Sequence, residues 1–374
     1  MAGAARTQGG RVVGIVLLAY AVMSLADGLG VLSERMGFAG VSSILFFLGF
    51  AFVPVPVGVL CARWGVARVL RTVFLVSAVS CVCLAVGGVC ASVAAAGFVL
   101  AGLSNVALQV SLPALVGERF PPAHLAGVVT GGAFAKTAAA VSFPFVVSAL
   151  AGCGHWSLAL LPFFLLSVVL CCALKGPSCG KGTVKKSEAT ALSAVRKVLK
   201  DPVVCCSVLA FAIAIVADVV FNLAVPGVVS RRFDGGGDSV GVVYAVWFGV
   251  KLPLMLVGSR LFLQYDARRF FAGAALVALV GAGMMAACEG WWTYLVGVGL
   301  FAAGFANVYG HVFGAAAPRH PSEIPAVSVL LVMAIAAGSL ASPILTLFGI
   351  RAVPVLVALL LPFAVFLSCF RSRA

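Results

Sequence analysis

Charge is scarce in this chain. Of 374 residues, 10% are Asp, Glu, Lys or Arg, with 11 acids against 25 bases, while 63% are hydrophobic. A soluble domain carries about 25% charged and about 45–50% apolar residues, so an ordinary soluble fold is excluded. Polar runs are as rare, and residues 175–201 form the one long example. Short segments of alternating polarity, the mark of a membrane β-barrel, are missing. So are His-Glu-x-x-His, Gly-x-Ser-x-Gly and catalytic carboxylates paired on one face, which removes the sequence basis for an enzyme. No nucleotide-binding loop is present, so ATP does not drive anything from this chain. The 12 cysteines are scattered, with neither zinc-ligand spacing nor a disulfide framework. No metal and no cofactor are expected. Basic residues are spread over many loops and do not form a patch, which argues against nucleic acid as a partner.

What the chain has is length of apolar sequence. Mean hydropathy is +1.19, and a helical span needs about 20 apolar residues. Twelve spans are read at 12–33, 37–60, 69–89, 93–116, 125–149, 157–174, 202–228, 239–259, 269–287, 292–316, 326–348 and 352–370. The expected fold class is therefore an all-α membrane protein of twelve transmembrane helices. With both termini placed in the cytoplasm, nineteen of the 25 basic residues fall on inner segments and four on outer loops. That asymmetry satisfies the positive-inside rule. Residues 1–33 have the basic flank of a signal peptide in Arg6 and Arg11, but the apolar run continues to Val31 without a small-x-small cleavage site. It is read as a retained first helix. Short loops and the absence of targeting sequences point to a bacterial inner membrane, and a monomer is expected.

The polar stretch 175–201 divides the chain into six spans and six spans, giving an N-terminal bundle (1–174), a basic linker (175–201) and a C-terminal bundle (202–374). The halves repeat each other. Gly102-x-x-Asn105-x-x-x-Gln109 returns as Gly304-x-x-Asn307-x-x-x-His311, Ala26-Asp27 as Ala217-Asp218, and Pro54 and Gly58 as Pro253 and Gly258. Internal repeats of this kind mark secondary transporters, with the solute site at mid-membrane between the repeats. Five ionisable residues lie inside apolar spans: Asp27, Lys136, Asp218, Lys251 and His311. Each charge at the bilayer centre costs roughly 2.5–3.5 kcal/mol, so such residues usually serve a function.

Two motifs carry a resemblance. The turn Gly58-Val-Leu-Cys-Ala-Arg63-Trp-Gly65-Val-Ala-Arg68 resembles the loop motif of the major facilitator superfamily, with Ala62 in the place of that motif's Asp. The stretch from Gly102 through Asn105 and Gln109 to Pro113, followed by Gly132-Ala-Phe-Ala-Lys136 and Pro144-Phe145, is similar to the fucose–galactose–glucose:proton symporter family. Pro113-Ala114 stands where that family has Asn-Pro, and Ala133 where it has Gln. The resemblance implies a major facilitator fold and proton-coupled uptake of a monosaccharide. It also implies a coupling acid in the first helix, hence Asp27. The same fold hosts uncoupled facilitators and exporters of other polar or anionic solutes, which form the alternative. A membrane protein with no transport activity is the third reading.

Residue by residue, Asn105 and Gln109 share a helix face, as do Asp218 and Asn222, Trp247 and Lys251, and Asn307 and His311. Amides with an aromatic plane suit a hydroxylated ligand, so these residues and Lys136 are the substrate candidates. Interhelical hydrogen bonding is the competing role for the amides. Asp27 and Asp218 are the proton-coupling candidates. The competing role for the charges is a pair of salt bridges, Asp27–Lys136 and Asp218–Lys251, that gate the halves. Gly58, Arg63, Gly65 and Arg68 form the expected loop motif, in which the arginines hold helix ends. The two mid-membrane lysines favour an anionic solute only as far as the aspartates leave them unpaired.

Overall fold

A computed structural model describes residues 2–25, 36, 45–46, 49, 52–88, 90–174, 191–233, 236–261, 267–287 and 289–347. Every regular element among them is helical. In chain order these are α1 (Ala2–Met23), α2 (Pro54–Trp64), α3 (Val66–Val86), α4 (Ala91–Arg119), α5 (Pro122–Gly152), α6 (Leu161–Ala173) and α7 (Ala191–Leu199). There follow α8 (Pro202–Arg232), α9 (Gly236–Leu261), α10 (Ala267–Ala287), α11 (Trp291–Phe305), α12 (Val308–Ala316) and α13 (Ile324–Leu347). A 3-10 turn, Trp156–Leu160, leads into α6.

The helices follow the apolar runs closely. Val66–Val86, Ala91–Arg119, His124–Phe143, Trp156–Ala173 and Trp291–Arg319 are each long and apolar enough to cross a bilayer. The expected last span, 352–370, lies outside the described residues, as does most of 37–51. Two differences from the expected layout are local. The polar linker ends in a helix, α7, with Ala194, Val195 and Val198 buried and Arg196 and Lys197 outward. The tenth span is broken between α11 and α12, where Asn307 leaves helical geometry at φ −120°, ψ 9°.

The chain forms two compact units. The first comprises Met1–Val198 with His320–Met333, and the second Leu199–Arg319 with Ala334–Ala374. Lipid tails are as apolar as Leu, so helix association in a bilayer relies on close packing of small residues. The first unit shows this where α4 meets the segment before α2. A Cβ on Gly102 would strike the Phe46 backbone, and one on Gly49 would lie 3.1 Å from Gly102 carbonyl carbon. Gly132 on α5 leaves room for the Tyr20 ring of α1. Ser80 Oγ donates to the Gly97 carbonyl at 3.0 Å, which ties α3 to α4. Residues 320–333 join this unit through Val329 against Gly58, Ile324 against Gly117, and a 3.3 Å Glu323–Lys197 ion pair.

The second unit uses the same device. A Cβ on Gly281 of α10 would sit 2.6 Å from the Gly297 carbonyl oxygen of α11, and one on Gly304 would lie 2.5 Å from Ala278 Cβ. Asp201 starts α8 by accepting from Val203 N–H at 2.9 Å, and its other oxygen pairs with Arg319 at 2.8 Å. The outer faces are apolar, the reverse of a soluble protein. On α3 the exposed residues Leu75, Val79, Val82 and Val86 recur at helical spacing, with Leu75 59% exposed. Exposed Trp64 and Trp292 sit at helix ends, where aromatic side chains anchor at the membrane interface.

Gly281 and Gly283 offer a matched test of this packing, since nothing lies within 4 Å of a Cβ built on Gly283. Overpacking of a close contact costs about 1–3 kcal/mol. Gly281→Val is expected to lower the thermal midpoint of the detergent-purified protein by several degrees, and Gly283→Ala to leave it unchanged. Equal effects of the two would contradict the packing given for α10 and α11.

Candidate functional site

The expected loop motif closes the short turn between α2 and α3. Gly65 takes φ +82°, a conformation that side chains avoid, and its N–H caps α2 by donating to the Cys61 carbonyl at 3.0 Å. Gly58 is buried against Val329, whose Cγ2 would lie 2.7 Å from a Cβ there. Arg63 and Arg68 are both exposed.

Asn105 is buried on α4, and both of its polar atoms are bonded. Its Nδ2 donates to the Met23 carbonyl at 3.0 Å, and its Oδ1 accepts from Gln109 Nε2 at 2.7 Å. The adjoining cavity, lined by Val22, Met23, Ser77, Ser104, Asn105 and Leu108, measures about 10 Å³. That is near the least volume that holds one water, and far below a solute. Gln109 differs, because its Oε1 is buried with no hydrogen-bond partner among the described residues. Of the two amides, Gln109 is the one with a polar atom that has no partner among the described residues.

In the repeat position, Asn307 Nδ2 also donates to a neighbouring helix carbonyl, Leu254 at 3.0 Å. The carbonyl belongs to α9, the second span of its half, whereas Met23 belongs to the first span of the other. The sequence repeat therefore preserves the bond type and changes its partner helix. Gly258 makes the bond possible, since a Cβ there would meet the Asn307 side chain. His311 N–H bonds the Asn307 carbonyl at 3.0 Å, keeping both residues on one face of α12, and His311 is buried. Lys136 is half-buried on α5. Asn222 lies in α8, but its side chain is outside the described residues, and so is the whole of Asp27.

The charged centre of the second unit lies among the described residues. Lys251 Nζ of α9 donates to Asp218 Oδ1 of α8 at 3.0 Å. The same nitrogen lies 3.6 Å above the Trp247 ring, one turn away on the same helix. A cation over an indole gains about 2 kcal/mol when desolvated, so the ammonium is held from two sides. Trp247 in turn is only 1% exposed. Its ring stacks on Phe221 at 4.3 Å and packs against Phe301 at 5.5 Å and Phe305 at 6.4 Å. Protein thus fills the plane that the sequence suggested for a sugar. Tyr244, one turn earlier on α9, is half-buried and stacks beside Phe248 at 6.5 Å. No motif marks Tyr244; its spacing of three and seven residues from Trp247 and Lys251 is the signal that could have found it.

Comparison with known proteins identifies the family. The sequence matches the Major Facilitator Superfamily over residues 12–317. The chain belongs to this superfamily. It is therefore a transporter and not an enzyme, and its fold is the major facilitator fold of two six-helix pseudo-repeats. None of the curated protein sequences matches it. Among solved structures it is similar to the superfamily transporter FucP in the outward conformation, with a TM-score of 0.81 at 13% identity, covering 97% of this chain and 99% of that one. A variant of the same protein is described as the E. coli fucose:proton symporter. The bacterial homologue of the iron transporter ferroportin aligns with a TM-score of 0.76 at 14% identity, over 97% of this chain and 99% of that one. The human organic anion transporter MFSD10 aligns at 0.73 and 13%, over 96% and 99%. Similarity at this identity establishes the shared fold.

The two amides of α4 are separable by experiment. Loss of Asn105 strands both the Met23 carbonyl and Gln109 Nε2, and an unmade buried hydrogen bond costs about 1–3 kcal/mol. Asn105→Ala is expected to lower the thermal midpoint more than Gln109→Ala does. An equal or larger fall for Gln109→Ala would show that the bonding roles are assigned the wrong way round.

Proposed function

We propose that the protein is a proton-coupled importer of a monosaccharide of the glucose, galactose or fucose type, working by alternating access in a bacterial inner membrane. The observation that carries this reading is the Lys251–Asp218 ion pair within the second unit. An ion pair between a carboxylate and an ammonium inside a carrier is a contact that a proton taken up by the carboxylate would weaken. With the carboxylate neutral, the ion-pair part of the hold on Lys251 is lost while its contact with the Trp247 ring remains, and the local helix packing has a reason to change. Similarity to a fucose:proton symporter supports the same reading, as do the motif of α4 and α5 and Gln109 Oε1, buried there without a hydrogen-bond partner among the described residues.

In this reading Asp27 is the first coupling acid and Asp218 the second. Gln109, Lys136, Asn222, Lys251, Asn307 and His311 bear on the solute, directly or by shaping its site, while Asn105 and Trp247 hold their neighbours in position. The bundles 1–174 and 202–374 are the moving halves, 175–201 is a cytoplasmic linker, both termini are cytoplasmic and the working form is a monomer. The alternative is an uncoupled facilitator or exporter of another polar or anionic solute. It draws support from an organic anion transporter and a homologue of an iron transporter having the same fold.

Uptake of radiolabelled glucose, galactose and fucose into vesicles with an imposed pH gradient, acid outside, decides between them. A sugar is expected to accumulate only while the gradient lasts, and Asp27→Asn to exchange that sugar without concentrating it. Movement that ignores both the gradient and the substitution would establish the facilitator instead.

A further inference from the structure

The turn between α2 and α3 carries more positive charge than its surroundings neutralise. Arg63, Arg68 and Arg71 lie close together, and no Asp or Glu occurs between Glu34 and Glu118. Ala62 stands where the superfamily's loop motif has its acid. Among the described residues none of the three guanidinium groups has an ion-pair partner or a hydrogen bond. Arg63 and Arg68 are exposed, whereas Arg71 is half-buried and its Nε is shielded from solvent without a partner. A buried donor left unbonded is costly.

The backbone adds to this charge. The first N–H groups of a helix have no partner inside it, and Gly65, at the N-cap of α3, has no side chain to satisfy them. The positive end of the α3 dipole therefore coincides with Arg68 in the first turn and Arg71 in the next. Helix N-termini and guanidinium forks both suit phosphate oxygens.

The helix below decides which kind of phosphate fits. Arg68, Thr72, Leu75, Val79 and Val82 recur at spacings of four and three, so they follow one face of α3. All five are exposed. Arg68 thus heads an apolar stripe on a helix long enough to cross a bilayer. From Arg68 to Val79 the rise is about 16 Å, close to half of a hydrocarbon core of roughly 30 Å. Trp64, 52% exposed at the end of α2, marks the level of the interface. A soluble phosphate would use the charge and leave the stripe bare. A phospholipid uses both.

We infer that the α2–α3 turn is a binding site for an anionic phospholipid, with its headgroup phosphate on Arg63, Arg68 and Arg71 and an acyl chain along Leu75 and Val79. The inference is independent of the solute carried. It gives the arginines of the loop motif an external counter-charge where this chain lacks the motif's acid.

In the test, the full-length protein in detergent is titrated with phosphatidylglycerol and with phosphatidylcholine of the same acyl chains, and bound lipid is counted by native mass spectrometry. Phosphatidylglycerol is expected to bind at least about tenfold more tightly, and excess inorganic phosphate not to displace it. A basic residue beside an anionic headgroup is worth about fivefold in affinity. Arg68→Gln should therefore weaken phosphatidylglycerol by about fivefold, and Arg68→Gln with Arg71→Gln by about twenty-fivefold, with phosphatidylcholine unaffected. Arg196→Gln, which removes an exposed charge from α7, should change neither. Equal binding of the two lipids overturns the inference and leaves an apolar contact alone. Displacement by inorganic phosphate overturns it in favour of a soluble-anion site. An equal loss in Arg196→Gln overturns it as well, because any surface charge would then serve. Unchanged phosphatidylglycerol affinity in Arg68→Gln overturns it even if the double variant does not fold.

Discussion

A charge placed among apolar helices has to find a counter-charge, a ring face or water, and that requirement governs the second unit. Lys251 meets it with Asp218 on one side and Trp247 on the other. The consequences run outward through the packing. Trp247 must be held flat beneath the ammonium, so Phe221, Phe301 and Phe305 close around it, drawing α8, α9 and α11 into one aromatic cluster. A pair of this kind is a poor source of stability, because desolvation of both ions offsets most of their attraction. In the proposed function its role is instead that of a contact that a proton would weaken.

The backbone imposes a second requirement. Without a solvent that drives helices together, contact must come from close approach, and glycine supplies it at Gly102, Gly132, Gly281 and Gly304. Where the approach is closest, polar side chains find backbone carbonyls across the gap. Asn105 reaches Met23 and Asn307 reaches Leu254. In the second case the helix itself breaks at Asn307, and Gly258 gives the amide its space. Packing and polar bonding are therefore parts of one arrangement in both units, although the partner helices differ between them.

Much of this was legible from the residues in order. Hydropathy locates the helices because each span must be apolar along its whole length, and Gly65 announces a turn because only glycine tolerates its φ of +82°. The pairing of Asp218 with Lys251 was open as one of two roles, since opposite charges in consecutive spans can reach each other. Other features depend on side-chain neighbours that spacing does not reveal. Trp247 reads equally well as a ligand platform or a ring facing lipid until Phe221 is seen stacked on it. Asn105 and Asn307 look equivalent in the repeat, yet their carbonyl partners lie on different helices. The helix α7 was hidden by the polar composition of its linker, because its apolar face is only three buried residues, Ala194, Val195 and Val198.

The central claim is that the Lys251–Asp218 pair is kept for transport and not for the fold. Replacing both partners at once, as Asp218→Asn with Lys251→Met, removes the pair without stranding a charge. The direct measurement is the thermal midpoint of that double variant together with its gradient-driven uptake per folded molecule. The account predicts a midpoint equal to or above that of the wild type, and uptake lost. A midpoint that falls by many degrees while the folded fraction still concentrates solute would show that the pair is structural.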